Sequence, residues 1–251
     1  MVLYILYFTI GLFIGSVLNL LIKFTPNQIN MFEQIQSARN ASRLCPGLLV
    51  PIIGSFISDT KSSDCGPSFS SRRFFVELLT GLLFVLCLYT IVPSIHLFKA
   101  LVFTCFLIVI SIIDYDLSLI LDNVLIPMAA IGVAINLFVG DIKTLNMLFS
   151  ALLGGSIFLL LAIVSKGGFG GGDIKFMACI GLWLGLKYTV LAVLLSFMFG
   201  GLGAAILLLF KKKTLSDKFP YGPYIALASF ISLLYGDSIA ALYWNWAFQV
   251  K

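Results

Sequence analysis

Acidic residues are scarce in this chain, 11 Asp plus Glu among 251 residues, and four of them stand at the ends of long apolar runs. Asp173 lies in Gly167-Gly168-Phe169-Gly170-Gly171-Gly172-Asp173-Ile174-Lys175, a glycine-dense hinge directly before an apolar stretch. Asp114, Asp116 and Asp122 lie in Ile113-Asp114-Tyr115-Asp116-Leu117-Ser118-Leu119-Ile120-Leu121-Asp122, at the end of an earlier one. Two carboxylates brought close in a low-dielectric site do not both ionise easily, so one keeps its proton while the other stays charged. The charged group takes a proton from water and the protonated one donates to a carbonyl oxygen. A single pair thus supplies general base and general acid for hydrolysis of a peptide bond, without metal or a nucleophilic Ser or Cys.

Elimination points the same way. The one histidine, His96, is expected on the opposite side of the membrane, which leaves Ser-His, Cys-His and clustered-His metal schemes without material. The glycines before Asp173 are expected to take φ > 0 and to let the backbone approach an extended substrate strand. Helix N-terminal amides after the hinge would stabilise negative charge there. The plainer alternative is that Asp173 caps the helix beginning near Ile174. A P-loop is excluded, because no Lys-Ser/Thr follows the glycines.

The elements that must carry these groups are membrane helices. The hydrophobic fraction is 60%, charged residues make up 11%, and the mean hydropathy is +1.08, far from a soluble domain. The apolar runs approach the ~20 residues of a spanning helix and lack the ~10-residue alternation of barrel strands. The chain is therefore predicted to be all-α, a polytopic bundle of about eight spans. These run over about 2–22, 74–92, 99–113, 122–140, 145–165, a short piece after Asp173, a further span to about 210, and one from about 219. The run after Asp173 exceeds one crossing and is expected to break near Gly185-Leu186-Lys187-Tyr188, a geometry tolerated where a helix lines a watery cavity. Residues 23–73 read as a polar loop domain, within which Leu48–Phe56 is apolar but too short to cross.

Orientation follows from the basic residues. Placing the N-terminus outside puts Lys23, Arg39, Arg43, Lys61, Arg72, Arg73, Lys166, Lys175, Lys211, Lys212, Lys213 and Lys218 inside, 12 of the 16 Lys plus Arg, as the positive-inside rule requires. The loop domain, Asp114 and Asp173 then all face the cytoplasm. The net charge of +5 comes from these loops and gives no nucleic-acid signal.

In this ensemble the chain resembles the type IV prepilin peptidase family over nearly its whole length. Gly15-Ser16-Val17-Leu18-Asn19 resembles the family's first-helix motif, and Leu49-Val50-Pro51-Ile52-Ile53 its Leu-Ile-Pro-Ile segment. Arg72-Arg73-Phe74-Phe75-Val76-Glu77 is similar to its Arg-Tyr-Pro-x-Val-Glu run. Ile113-Asp114 with Asp122 resembles the first aspartate motif, Gly170-x-Gly172-Asp173-x-Lys175 the second, and Phe219-Pro220-Tyr221-Gly222-Pro223 the late Pro-Phe-Gly-Pro. The resemblance implies Asp114 and Asp173 as the catalytic pair, with Gly170, Gly172, Lys175, Asp122, Asp116 and Glu77 in support. It implies a first helix at 1–22, a cytoplasmic loop domain at 23–73 and a transmembrane aspartic peptidase domain at 74–251. By the same resemblance the protein sits in the bacterial inner membrane and cuts the leaders of prepilins or pseudopilins of type IV pili or type II secretion, needing no cofactor for that step.

The family's second activity, N-methylation from S-adenosylmethionine, is linked to two Cys-x-x-Cys pairs thought to hold zinc. Here Cys45-Pro46 and Cys65-Gly66-Pro67 keep one cysteine of each pair, a remnant short of the four ligands of a closed zinc site. Two other readings compete. A presenilin-like intramembrane protease would use Tyr115-Asp116 with Asp173, but this sequence shows no Pro-Ala-Leu motif near its C-terminus. A secondary transporter would use the acids as an ion site, yet they cluster at helix ends and no inverted repeat is visible.

Overall fold

The computed structural model describes residues 1–25, 68–165, 168–209 and 220–248. Among these, all regular structure is helical: α1 Val2–Phe24, α2 Ser68–Thr90, α3 Ile95–Leu117, α4 Asp122–Val139, α5 Thr144–Val164, α6 Gly171–Leu209 and α7 Gly222–Phe248. Cys45, Cys65 and the Leu48–Phe56 segment lie outside the described residues. Among the described residues seven helices are long and apolar enough to cross a membrane, against the expected eight. The difference is α6, two helical stretches that meet without a connecting loop at a kink at Gly185, where φ is 74° and ψ 174°. That backbone region is open essentially to glycine alone. The expected break is therefore present, and residues 171–184 rise only about 21 Å before it, short of the ~30 Å hydrocarbon core.

The chain forms two compact units, residues 1–109 and 110–251. In the first, α1 packs along α2 through small residues. A Cβ at Gly11 would lie 2.7 Å from the Gly81 Cα, and one at Gly15 2.8 Å from the Glu77 Cα. In lipid no hydrophobic force drives helices together, so such close backbone approach and cross-helix hydrogen bonds supply the contact. Asn19 Nδ2 donates to the Arg73 carbonyl at 3.1 Å. Here the sequence reading needs correction. Arg73 is not in a polar loop, because α2 already begins at Ser68 and buries it. Its Nε donates to Glu77 Oε1 at 3.0 Å, one helical turn on, and its Nη2 to Ser16 Oγ at 3.1 Å. Paired and hydrogen-bonded in this way, the charge is tolerated in an apolar setting.

In the second unit α4, α5 and α7 all pack on α6. A bend in an apolar helix frees backbone groups that lipid cannot satisfy. Two asparagines in apolar runs do so here. Asn136 of α4 donates through Nδ2 to the Leu182 and Trp183 carbonyls at 2.7 and 3.3 Å. Asn146 of α5 accepts the Leu186 N–H at 2.9 Å on Oδ1. Trp183 is anchored as well, donating from Nε1 to the Met128 carbonyl at 2.9 Å.

Asn136→Ala leaves two buried carbonyls short of their donor. The expected cost is about 1–3 kcal/mol, read as a lower thermal unfolding midpoint in detergent; an unchanged midpoint would show that the bend does not need this side chain.

Candidate active site

Helix α3 runs one turn beyond the end expected at Ile113 and stops only where Ser118 turns to φ 51°. Asp114 is thus not in a connecting loop but in the last turn of a helix, with 4% of its surface exposed. Asp116, two residues on, points about 200° away around the helix, and it is exposed, as is Tyr115. Asp114 Oδ2 accepts the backbone N–H of Gly222 at 2.8 Å. Gly222 is the first residue of α7, and its N–H is one of the donors that a helix start leaves without an internal partner. A Cβ at Gly222 would stand 2.7 Å from the same oxygen, so only glycine lets this backbone come so near.

Asp173 is placed by the start of α6. The helix begins at Gly171, which makes Gly170 the capping position and Asp173 the third residue of the first turn. The Asp173 carboxylate reaches back to accept the Gly170 N–H at 3.0 Å, while the Asp173 N–H donates to the Gly170 carbonyl at 3.1 Å. This is the returning half of a capping box. Asp173 does cap its helix, from inside rather than from ahead of it. It is 8% exposed. Each carboxyl is therefore held through one oxygen by a backbone N–H at a helix start. Among the described residues neither receives a second hydrogen bond.

The described hinge glycines do not take positive φ, contrary to the expectation from sequence; among the described residues that conformation belongs to Gly140, Gly185 and Ser118. What the hinge needs is room. A Cβ at Gly172 would lie 2.8 Å from the Ile120 Cβ, so the connection between α3 and α4 passes directly over it. At Gly170 the same test gives an ordinary 3.4 Å contact to Asp173 Oδ2. Lys175 and Asp122 clamp the two segments from outside, with Nζ 2.9 and 2.7 Å from the two carboxylate oxygens. Both side chains are more than half exposed, so the pair contributes at most about 1 kcal/mol.

Glu77 belongs to the first unit, where it is buried against Arg73. His96 is in the first turn of α3 and Asp114 in its last. Among the described residues Cys87, Cys105 and Cys179 are free, the first and last of them buried. Sequence reasoning gave no role to Gly222. Its signal was present in the prolines on either side of Tyr221-Gly222, which mark a helix start, but the contact with Asp114 spans 108 positions.

The model of the type IV leader peptidase family matches residues 101–205, and that of the bacterial peptidase A24 N-terminal domain matches residues 9–91. A prepilin leader peptidase/N-methyltransferase of Bacillus subtilis is 34% identical over 204 residues, 80% of this chain and 81% of its own length. Proteins of the same description from Aeromonas salmonicida and Pseudomonas aeruginosa are 32% and 31% identical, over 77% and 79% of this chain and 68% and 70% of theirs. No solved structure matches. The match to these relatives over two thirds or more of their length, with Asp114 and Asp173 both in the stretch matched by the first model, places the chain in the type IV leader peptidase family.

Proposed function

We propose that this protein is a membrane aspartic endopeptidase that removes the leader from type IV prepilins or pseudopilins, with Asp114 and Asp173 as its catalytic pair. The observation that supports the reading is that two buried carboxyls from different helices are each fixed by one backbone N–H, and that the residues just before those two donors, Phe169 and Tyr221, meet edge-on with ring centroids 4.9 Å apart. The substrate follows from the relatives, which are prepilin leader peptidases by name.

In the working state the pair carries one proton. The ionised carboxyl takes a proton from a water whose oxygen attacks the carbonyl carbon of the scissile bond. Its partner gives its proton to the carbonyl oxygen, and a tetrahedral diol forms. Collapse of the diol breaks the C–N bond, the departing nitrogen takes up the proton won from water, and the other carboxyl recovers the one it gave. The backbone bonds from Gly170 and Gly222 hold the pair in register through this cycle, which spares reorganisation at the moment of reaction.

The distribution of Lys and Arg supports a site that faces the cytoplasm, and the family resemblance supports the bacterial inner membrane as its location. The relatives' names also carry an N-methyltransferase activity, for which S-adenosylmethionine would be the methyl donor to the new N-terminus. Cys45 and Cys65 do not supply the four ligands of a closed zinc site, so zinc has no part in this proposal.

Co-expression with a candidate prepilin, followed by intact mass, tests the reading. The wild type should remove the leader mass, and Asp114→Asn and Asp173→Asn should each cut the rate by about 10²- to 10⁴-fold, with Asp116→Asn close to wild type. Leader removal that survives both single changes, or that fails in Asp116→Asn alone, would overturn the assignment. An added methyl group on the mature N-terminus would establish the second activity.

Reporter fusions test the orientation. Fusions at Asp59 and after Lys213 should report cytoplasm and one at Asp141 the exterior; an exterior signal at either of the first two would reverse the site's face.

A further inference from the structure

The hinge that carries Asp173 is a six-residue run, 167–172, with a single side chain in it, that of Phe169. Five glycines leave the backbone with more freedom than any other sequence would, yet Asp173 must be held to a fraction of an ångström for the proposed chemistry. The structure shows what Phe169 does with its ring. It meets Tyr221 edge-on, with centroids 4.9 Å apart at 82°, and Phe158 of α5 at 5.6 Å and 78°. Phe158 in turn stacks on Phe197 of α6 at 5.5 Å and 19°. These are the favoured geometries of aromatic pairs.

Tyr221 is itself firmly fixed. Its hydroxyl donates to the Ser196 carbonyl at 2.7 Å, and a Cβ at Gly200 would run into its ring. Burial pushes the phenol up to about 12, with the Ser196 bond opposing and the Asp173 charge adding, so it remains a donor throughout the working range. The positions along the chain matter most. Phe169 is bonded to Gly170, whose N–H holds Asp173, and Tyr221 is bonded to Gly222, whose N–H holds Asp114. The ring pair therefore sits one residue from each of the two backbone donors.

We propose that Phe169 is a positioning residue for the reaction: its ring ties the glycine hinge to Tyr221 and so sets the spacing of the two carboxyls. This rests on the reading of Asp114 and Asp173 as the catalytic pair.

The test is kcat and KM for prepilin cleavage by the full-length protein in Phe169→Ala, Phe169→Leu, Phe169→Tyr and Tyr221→Ala, with the Ala/Ala double variant and Asp173→Asn alongside. Loss of the ring should lower kcat by about 10- to 100-fold with KM little changed. Phe169→Tyr, which keeps the ring, should restore most of it, and Phe169→Leu, which fills the space without the ring edge, should fall between. The double variant should be scarcely worse than the worse single one. Wild-type kcat in Phe169→Ala beside an inactive Asp173→Asn would overturn this role alone, as would a loss confined to KM or effects of the two Ala changes that multiply. Should Phe169→Ala fail to fold, wild-type kcat in Phe169→Leu would overturn it equally. Retained activity in Asp173→Asn would sink the catalytic reading, and this role with it.

Discussion

A carboxyl group in an apolar helix end costs free energy unless something bonds it, and in this protein the bond comes each time from a backbone N–H at a helix start, that of α7 for Asp114 and that of its own helix, α6, for Asp173. Gly222 N–H holds Asp114 and Gly170 N–H holds Asp173. These donors are available because helix starts leave their first N–H groups without internal partners. They also present the positive end of the helix dipole to the acid, an effect of roughly 0.3–1 kcal/mol, more when partly buried. The rest of the second unit follows from bringing two helix starts, those of α6 and α7, to the end of α3. Glycine is required at 222 because the backbone must come within hydrogen-bond reach of a carboxylate, and at 172 because the α3–α4 connection crosses the hinge.

The bend at Gly185 serves the same arrangement from further away. An unbroken α6 would carry Asp173 on one long rigid rod, whereas the break leaves a short first half that packs independently against α4 and α5. Its cost is a set of freed backbone groups in a region without water. Asn136 and Asn146 answer that cost locally, which is why two polar residues stand in otherwise apolar runs. The first unit solves a similar problem with other means, burying the Arg73–Glu77 pair against Ser16 where α1 and α2 approach through glycines.

Much of this was legible in the sequence, and the physical reasons for what was not are specific. Helix number and the break near Gly185 follow from run length, glycine placement and the width of a bilayer. Asp114 and Asp173 stood out because acids are rare and sat beside a glycine run. The loop boundary at residue 73 was misplaced because Arg72-Arg73 reads as polar, and only the bond from Arg73 to Glu77 one turn on reveals a helix. The conformation of the hinge glycines was also misread, since composition does not distinguish glycine kept for φ > 0 from glycine kept for close approach. Phe169, Tyr221 and Gly222 act through contacts between positions some fifty to a hundred apart in the chain, and no local pattern encodes those.

The central claim is that Asp114 and Asp173 form one device rather than two separate helix-end acids. The direct measurement is a double-mutant cycle on prepilin cleavage with Asp114→Asn, Asp173→Asn and the pair. A shared proton predicts that the double variant is scarcely slower than either single one, because the first change already disables the device. Losses that multiply, each of the size expected from removing an independent cap of about 1 kcal/mol, would contradict it.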